Sequence, residues 1–97
     1  MLESVLTKKI LKALESEVGG WWMKVHGGPY QAAGVPDLLG CVNGKFIALE
    51  VKRPGNRRGL TPLQAEVISQ IKENGGVACK VESVREALKA ASRLLEV

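Results

Sequence analysis

A chain of 97 residues, 45% of them hydrophobic, suffices for one domain spanning 1–97 with a modest core and is too short for several. Fourteen basic residues against ten acidic ones give a net charge of +4, which favours a polyanionic partner. No stretch reaches bilayer length, and Glu3, Lys8, Lys9 and Lys12 exclude a signal-peptide apolar region at the start.

Leu2, Val5, Leu6, Ile10, Leu14 and Val18 recur at helical spacing until Gly19-Gly20, so residues 2–18 read as one amphipathic helix. Its lysines face solvent. Trp21 to His26 reads as a strand, with Trp21 and Trp22 on opposite faces and at least one of them available to a subunit interface. The breaker-rich stretch from Gly27 to Gly34 reads as a loop. Two strands follow, Asp37–Val42 and Lys45–Lys52, joined by Asn43-Gly44, the residue pair that a type I′ hairpin turn demands. Arg53 to Gly59 is a basic loop. Thr61-Pro62-Leu63-Gln64 then supplies an N-cap, a proline at the first helical position and a capping-box glutamine, opening a helix that runs to about Asn74. Val77–Val81 is a fourth strand, and Ser83 caps a last helix with Glu86 as capping-box partner and a buried stripe of Val84, Leu88, Ala91 and Leu95. The order α-β-β-β-α-β-α, with a parallel strand-helix-strand crossover, predicts an α/β sandwich around a four-stranded mixed sheet. Cys41 and Cys79 match no disulfide framework and no zinc spacing. Lying in apolar stretches, they read as buried free thiols of a reducing compartment.

The hairpin carries the chemistry. If Asn43 and Gly44 form the loop, Val42 pairs with Lys45, Leu39 with Ala48 and Asp37 with Glu50, and directly opposed side chains hold their Cβ atoms roughly 4.5–5.5 Å apart. Lys52, two residues beyond Glu50, shares its face. Opposed carboxylates destabilise a ladder, one lysine neutralises only one of them, and a hard divalent cation neutralises both. A bulge near Gly40 would shift this register. A Glu-x-Lys on a strand is ordinarily a surface ion pair. Here Leu39, Phe46 and Ala48 on one face, and Leu38, Ile47, Leu49 and Val51 on the other, describe strands buried on both sides, where charges are seldom spent without use. Glu3, in line with Leu6, Ile10 and Leu14, is either a third carboxylate for such a site or a first-turn complement to the helix dipole. Arg53, Arg57 and Arg58 read as phosphate contacts beside the site, against the alternative of a solvated loop. His26 reads as a phosphate contact or a structural histidine. Tyr30 reads as a base-stacking residue or a loop anchor.

At these residues the chain resembles the virus-type replication-repair nuclease (VRR-NUC) family, a branch of the PD-(D/E)xK nuclease superfamily. The elements that carry the resemblance are a helix-one Glu, Gly34-Val35-Pro36-Asp37-Leu38, Glu50-Val51-Lys52 and Leu60-Thr61-Pro62-Leu63-Gln64. Each is short, and their order and spacing give them specificity. The resemblance implies a restriction-endonuclease-like core and a Mg²⁺-dependent endodeoxyribonuclease in which Mn²⁺ substitutes. It implies Asp37, Glu50 and the Val51 carbonyl as metal ligands, Lys52 as the group that orients or activates water, and Glu3 as an assistant at the metal. Gln64 matches a family glutamine packed against the active site, beside its capping-box reading. Small relatives imply a homodimer acting on branched DNA such as a four-way junction, in the cytoplasm of a prokaryotic cell or a phage-infected host. The competing expectation is a catalytically inactive or assembly-dependent nucleic-acid-binding module.

Overall fold

The computed structural model describes residues 2–26 and 33–96. The expected loop from Gly27 onward, with Tyr30, falls largely outside them. Helix α1 (Glu3–Ala13) leads through one wide turn into strand β1 (Trp21–Lys24). Strands β2 (Leu38–Val42) and β3 (Lys45–Val51) follow, then helix α2 (Pro62–Glu73), strand β4 (Val77–Val81) and helix α3 (Val84–Ser92). The sheet runs β1-β2-β3-β4. Its first two pairings are antiparallel and β3 pairs with β4 in parallel, so it is mixed.

Strand alternation divides the core. Leu38, Val42, Ile47, Leu49, Val51 and Val81 pack on one face against Leu6, Ile10 and Leu14 of α1 and Ala87, Ala90 and Ala91 of α3. Ala48 and Ala78 turn to the other face, where Ile68 of α2 covers them. Asn43 and Gly44 hold φ of 54° and 79°, as the tight turn requires, and the β2–β3 register is continuous through Gly40 without a bulge. Among the described residues no helix is long and apolar enough to cross a membrane.

Several local expectations are corrected. The first helix is not uniform to residue 18: after Ala13 the chain makes a π-helical turn over Leu14–Val18, closed by the Gly19 N–H on the Leu14 carbonyl (2.9 Å). This turn keeps Leu14 fully buried, and the Gly19 carbonyl accepts the Trp22 indole N–H (2.8 Å). Glu86 does not close a capping box on Ser83. Its backbone N–H takes the Ser83 hydroxyl, while its carboxylate takes the Glu82 N–H. A 3₁₀ turn over Arg93–Leu95 tightens the end of α3, so Leu94 is buried and Leu95 exposed, and Val84 and Leu88 are only half-buried. Cys41 is exposed, on the β2 face that α2 leaves open, and Cys79 is half-buried.

Trp22 lies flat across Gly40 of the neighbouring strand, so closely that a Cβ at Gly40 would enter its six-membered ring. Gly40→Ala is therefore expected to cost about 1–3 kcal/mol by overpacking. The melting temperature should fall by on the order of 10 °C. Thermal denaturation followed by circular dichroism checks this; an unchanged melting temperature would show that the edge strand is not held by this contact.

Candidate active site

The ladder between β2 and β3 ends at Leu38↔Leu49, one residue short of Asp37, and β3 ends at Val51 rather than Lys52. Pro36 explains the stop. The next hydrogen-bonded position would set Pro36 opposite Val51, and proline has no N–H to give. The Asp37 side chain fills the gap: its Oδ2 accepts the Val51 N–H at 2.9 Å. The Asp37 carbonyl accepts the Val25 N–H at 2.8 Å, so this residue ties β1, β2 and β3 together where the sheet opens. Lys52 turns its N–H the other way, to the Val81 carbonyl of β4 (3.0 Å). By the same alternation the Val51 carbonyl points toward Pro36, which has no donor for it.

Asp37 thus sits beside Glu50, as the hairpin reading expects, though as a side-chain clamp on the strand end rather than as a formal ladder partner. Glu50 is 4% exposed, and Lys52 Nζ lies 3.6 Å from its Oε2. Burial first, then the negative charge of Asp37 and a hydrogen bond to it, push the Glu50 carboxyl from its ordinary 4.5 up to about 7, while Lys52 pulls the other way. A single ammonium does not compensate two carboxylates, which leaves the pair short of positive charge near neutral pH.

Glu3 does not join them. Its Oε2 faces the Asn56 side-chain amide (3.3 Å) and the Arg53 N–H (3.5 Å), anchoring the basic loop to α1. It still lines one cleft of about 330 Å³ with Asp37, Thr7, Lys24 and His26. His26 is exposed there, two residues beyond the end of β1 rather than within it. Gln64 completes the capping box of α2, its Oε1 accepting the Thr61 N–H (3.0 Å) and its own N–H reaching Thr61 Oγ1 (3.1 Å). Arg53, Arg57 and Arg58 are exposed in the loop that continues directly from Lys52.

Among the described residues no three His, Cys, Asp or Glu side chains converge. The available donors are therefore two carboxylates and one backbone carbonyl, all oxygen. That set fits a hard cation of the Mg²⁺ class, which keeps several waters and takes few protein ligands. Two participants escaped the sequence reading. Lys80 stands in register with Glu50 on β4 but turns its ammonium to Glu82 at 3.7 Å, leaving Lys52 as the cation paired with Glu50. Asn56 joins the loop to Glu3 across 53 positions of sequence. The parallel crossover gave a signal for the first, and nothing local signalled the second. Searched against models of known protein families the chain matches none, and a comparison with curated proteins likewise gives no match.

Proposed function

We propose that this protein is a metal-dependent DNA endonuclease of the VRR-NUC type, built on a restriction-endonuclease-like core. One observation carries the reading: Asp37 and Glu50 are held side by side, with Glu50 buried and driven to about 7, next to the single ammonium of Lys52. Such an arrangement costs stability, and a divalent cation removes the cost. Asp37, Glu50 and the Val51 carbonyl would hold Mg²⁺, or Mn²⁺ in its place. When bound, the ion supplies positive charge that offsets both carboxylates and the scissile phosphate. Lys52 aims an ammonium at the same point, where it orients water and stabilises charge developing on the phosphate. Glu3 shares the cleft with Asp37, and Gln64, whose contacts lie within its own capping box, enters the site only by the resemblance. Arg53, Arg57, Arg58 and His26 contribute cationic or polar contacts along the backbone, affinity that follows charge and shape rather than base sequence.

The rival reading, a binding module without catalysis, leaves the strained carboxylate pair without a use. A cleavage panel of single-stranded, duplex, flap and four-way-junction DNA separates the two. Wild type should cut in Mg²⁺ or Mn²⁺, stop in EDTA, and bind but scarcely turn over in Ca²⁺. Full activity in chelator would remove the metal from the reading.

A homodimer acting on branched DNA extends the proposal. Trp21 (59% exposed) and Phe46 (43% exposed) stand in register on either side of exposed Cys41, with Met23 one row along on the same sheet face. Trp22 is packed inward and is not available. A second copy on the open face covers these apolar groups and gives two sites of opposite polarity, the geometry that paired nicks across a four-way junction need. Light scattering should show a dimer at micromolar concentration, and Trp21→Lys a monomer. A monomeric wild type cutting linear and branched DNA equally would overturn the extension alone.

A further inference from the structure

The segment from Arg53 to Arg58 is folded around one residue. The Asn56 N–H donates to the Arg53 carbonyl (3.2 Å), and Asn56 Oδ1 accepts the Arg58 N–H (2.9 Å). Its side-chain amide reaches out of the loop to Glu3 Oε2 on α1 (3.3 Å). Asn56 is accordingly half-buried, while Arg53, Arg57 and Arg58 are exposed. Together with Gly55 these four residues line a hollow of about 440 Å³. Three guanidinium groups within six positions repel one another, and an untethered loop would spread them over many conformations. The Glu3 carboxylate opposes that spreading, because it faces both the Asn56 amide and the Arg53 N–H and carries the compensating charge.

We propose that Asn56 is a positioning residue: by tying the loop to Glu3 it holds Arg53, Arg57 and Arg58 as one preorganised seat for a backbone phosphate beside the Asp37–Glu50 pair. The inference rests on the nuclease reading for the identity of that phosphate as DNA. Preorganisation makes the seat worth more than three free arginines, since the ordering cost is met in the folded protein rather than on binding. Glu3 then serves the substrate through the loop, whatever else it does at the cleft.

Fluorescence anisotropy of a labelled duplex, titrated with KCl in EDTA, reads this without cleavage or metal. Asn56→Asp keeps the acceptor for the Arg58 N–H and sets a second carboxylate against Glu3. Affinity should fall about fivefold to tenfold, and the dependence on log salt should flatten by about one phosphate contact. Adding Glu3→Gln exchanges donor and acceptor and should restore affinity to within about twofold of wild type. Adding Glu17→Gln restores the same net charge in the π-helical turn beyond α1 and should not. In Mg²⁺, Asn56→Ala should raise KM more than it lowers kcat. Undiminished affinity in Asn56→Asp, or equal rescue by Glu3→Gln and Glu17→Gln, overturns the proposal. Failure of wild type to cut any DNA in Mg²⁺ or Mn²⁺ would instead remove the nuclease reading, and the pattern of binding rescue would still decide whether the loop is built as inferred.

Discussion

Glu50→Gln is expected to lose cleavage by at least ~10³-fold while becoming more stable than wild type at pH 8 in chelator. The loss follows from removing one of the two carboxylates proposed to hold the ion at the reacting centre. The gain follows from linkage. The folded-state value of Glu50 lies near 7, above its ordinary 4.5. The stability it contributes is therefore fully present below about 4.5 and disappears as pH rises through about 7. At pH 8 the buried carboxylate opposes the fold by roughly 3 kcal/mol at most, a figure set by the size of the shift. The substituted amide carries no such charge, so Glu50→Gln should flatten the fall in melting temperature between pH 5 and 8. Lys52→Met provides the contrast. It should also lose cleavage, but it removes the cation that holds the Glu50 value down and should melt lower at pH 8. If both variants lose activity and stability alike, the pair is a structural ion cluster and the catalytic assignment falls.

The hairpin shows why part of this site was legible in the sequence. Asn43-Gly44 fixed a two-residue turn, and the side-chain period of two then placed Leu39 opposite Ala48 and brought Glu50 toward Asp37 without any tertiary information. The same counting misplaced the end of the ladder, because it did not ask which backbone group Pro36 withholds. The role of Asp37 as a clamp on the Val51 N–H is the consequence. Packing defeated local rules elsewhere. Periodicity alone made Leu95 a core residue, whereas one tightened turn delivers Leu94 instead. Apolar neighbours make Cys41 look buried, yet α2 is a single helix whose cluster reaches Leu39 of β2 and leaves Cys41 exposed. Helical spacing sets Glu3 in line with Leu6, Ile10 and Leu14, but its partner Asn56 lies in a loop with no periodicity from which to derive contact.

Mg²⁺ affinity should rise with pH and level off above about 7, because the ion needs Glu50 ionised and the metal-free protein holds a proton there. Below that point each unit of pH should change affinity by about tenfold, the signature of one proton released per ion bound. Calorimetric titrations in two buffers of different ionisation enthalpy, at pH 6 and pH 8, measure the release directly. Close to one proton should leave at pH 6 and close to none at pH 8. The same linkage predicts that saturating Mg²⁺ raises the melting temperature more at pH 8, where the uncompensated pair weighs most, than at pH 6. Asp37→Asn supplies the internal check. Its carboxylate is the second cause, after burial, of the upward push on Glu50. Losing it should lower the Glu50 value, move the onset of proton release to lower pH and weaken the ion at every pH. Affinity that is flat between pH 5.5 and 8 in wild type would mean that no proton leaves Glu50 when the ion binds, and would overturn the coupling between its raised value and the metal.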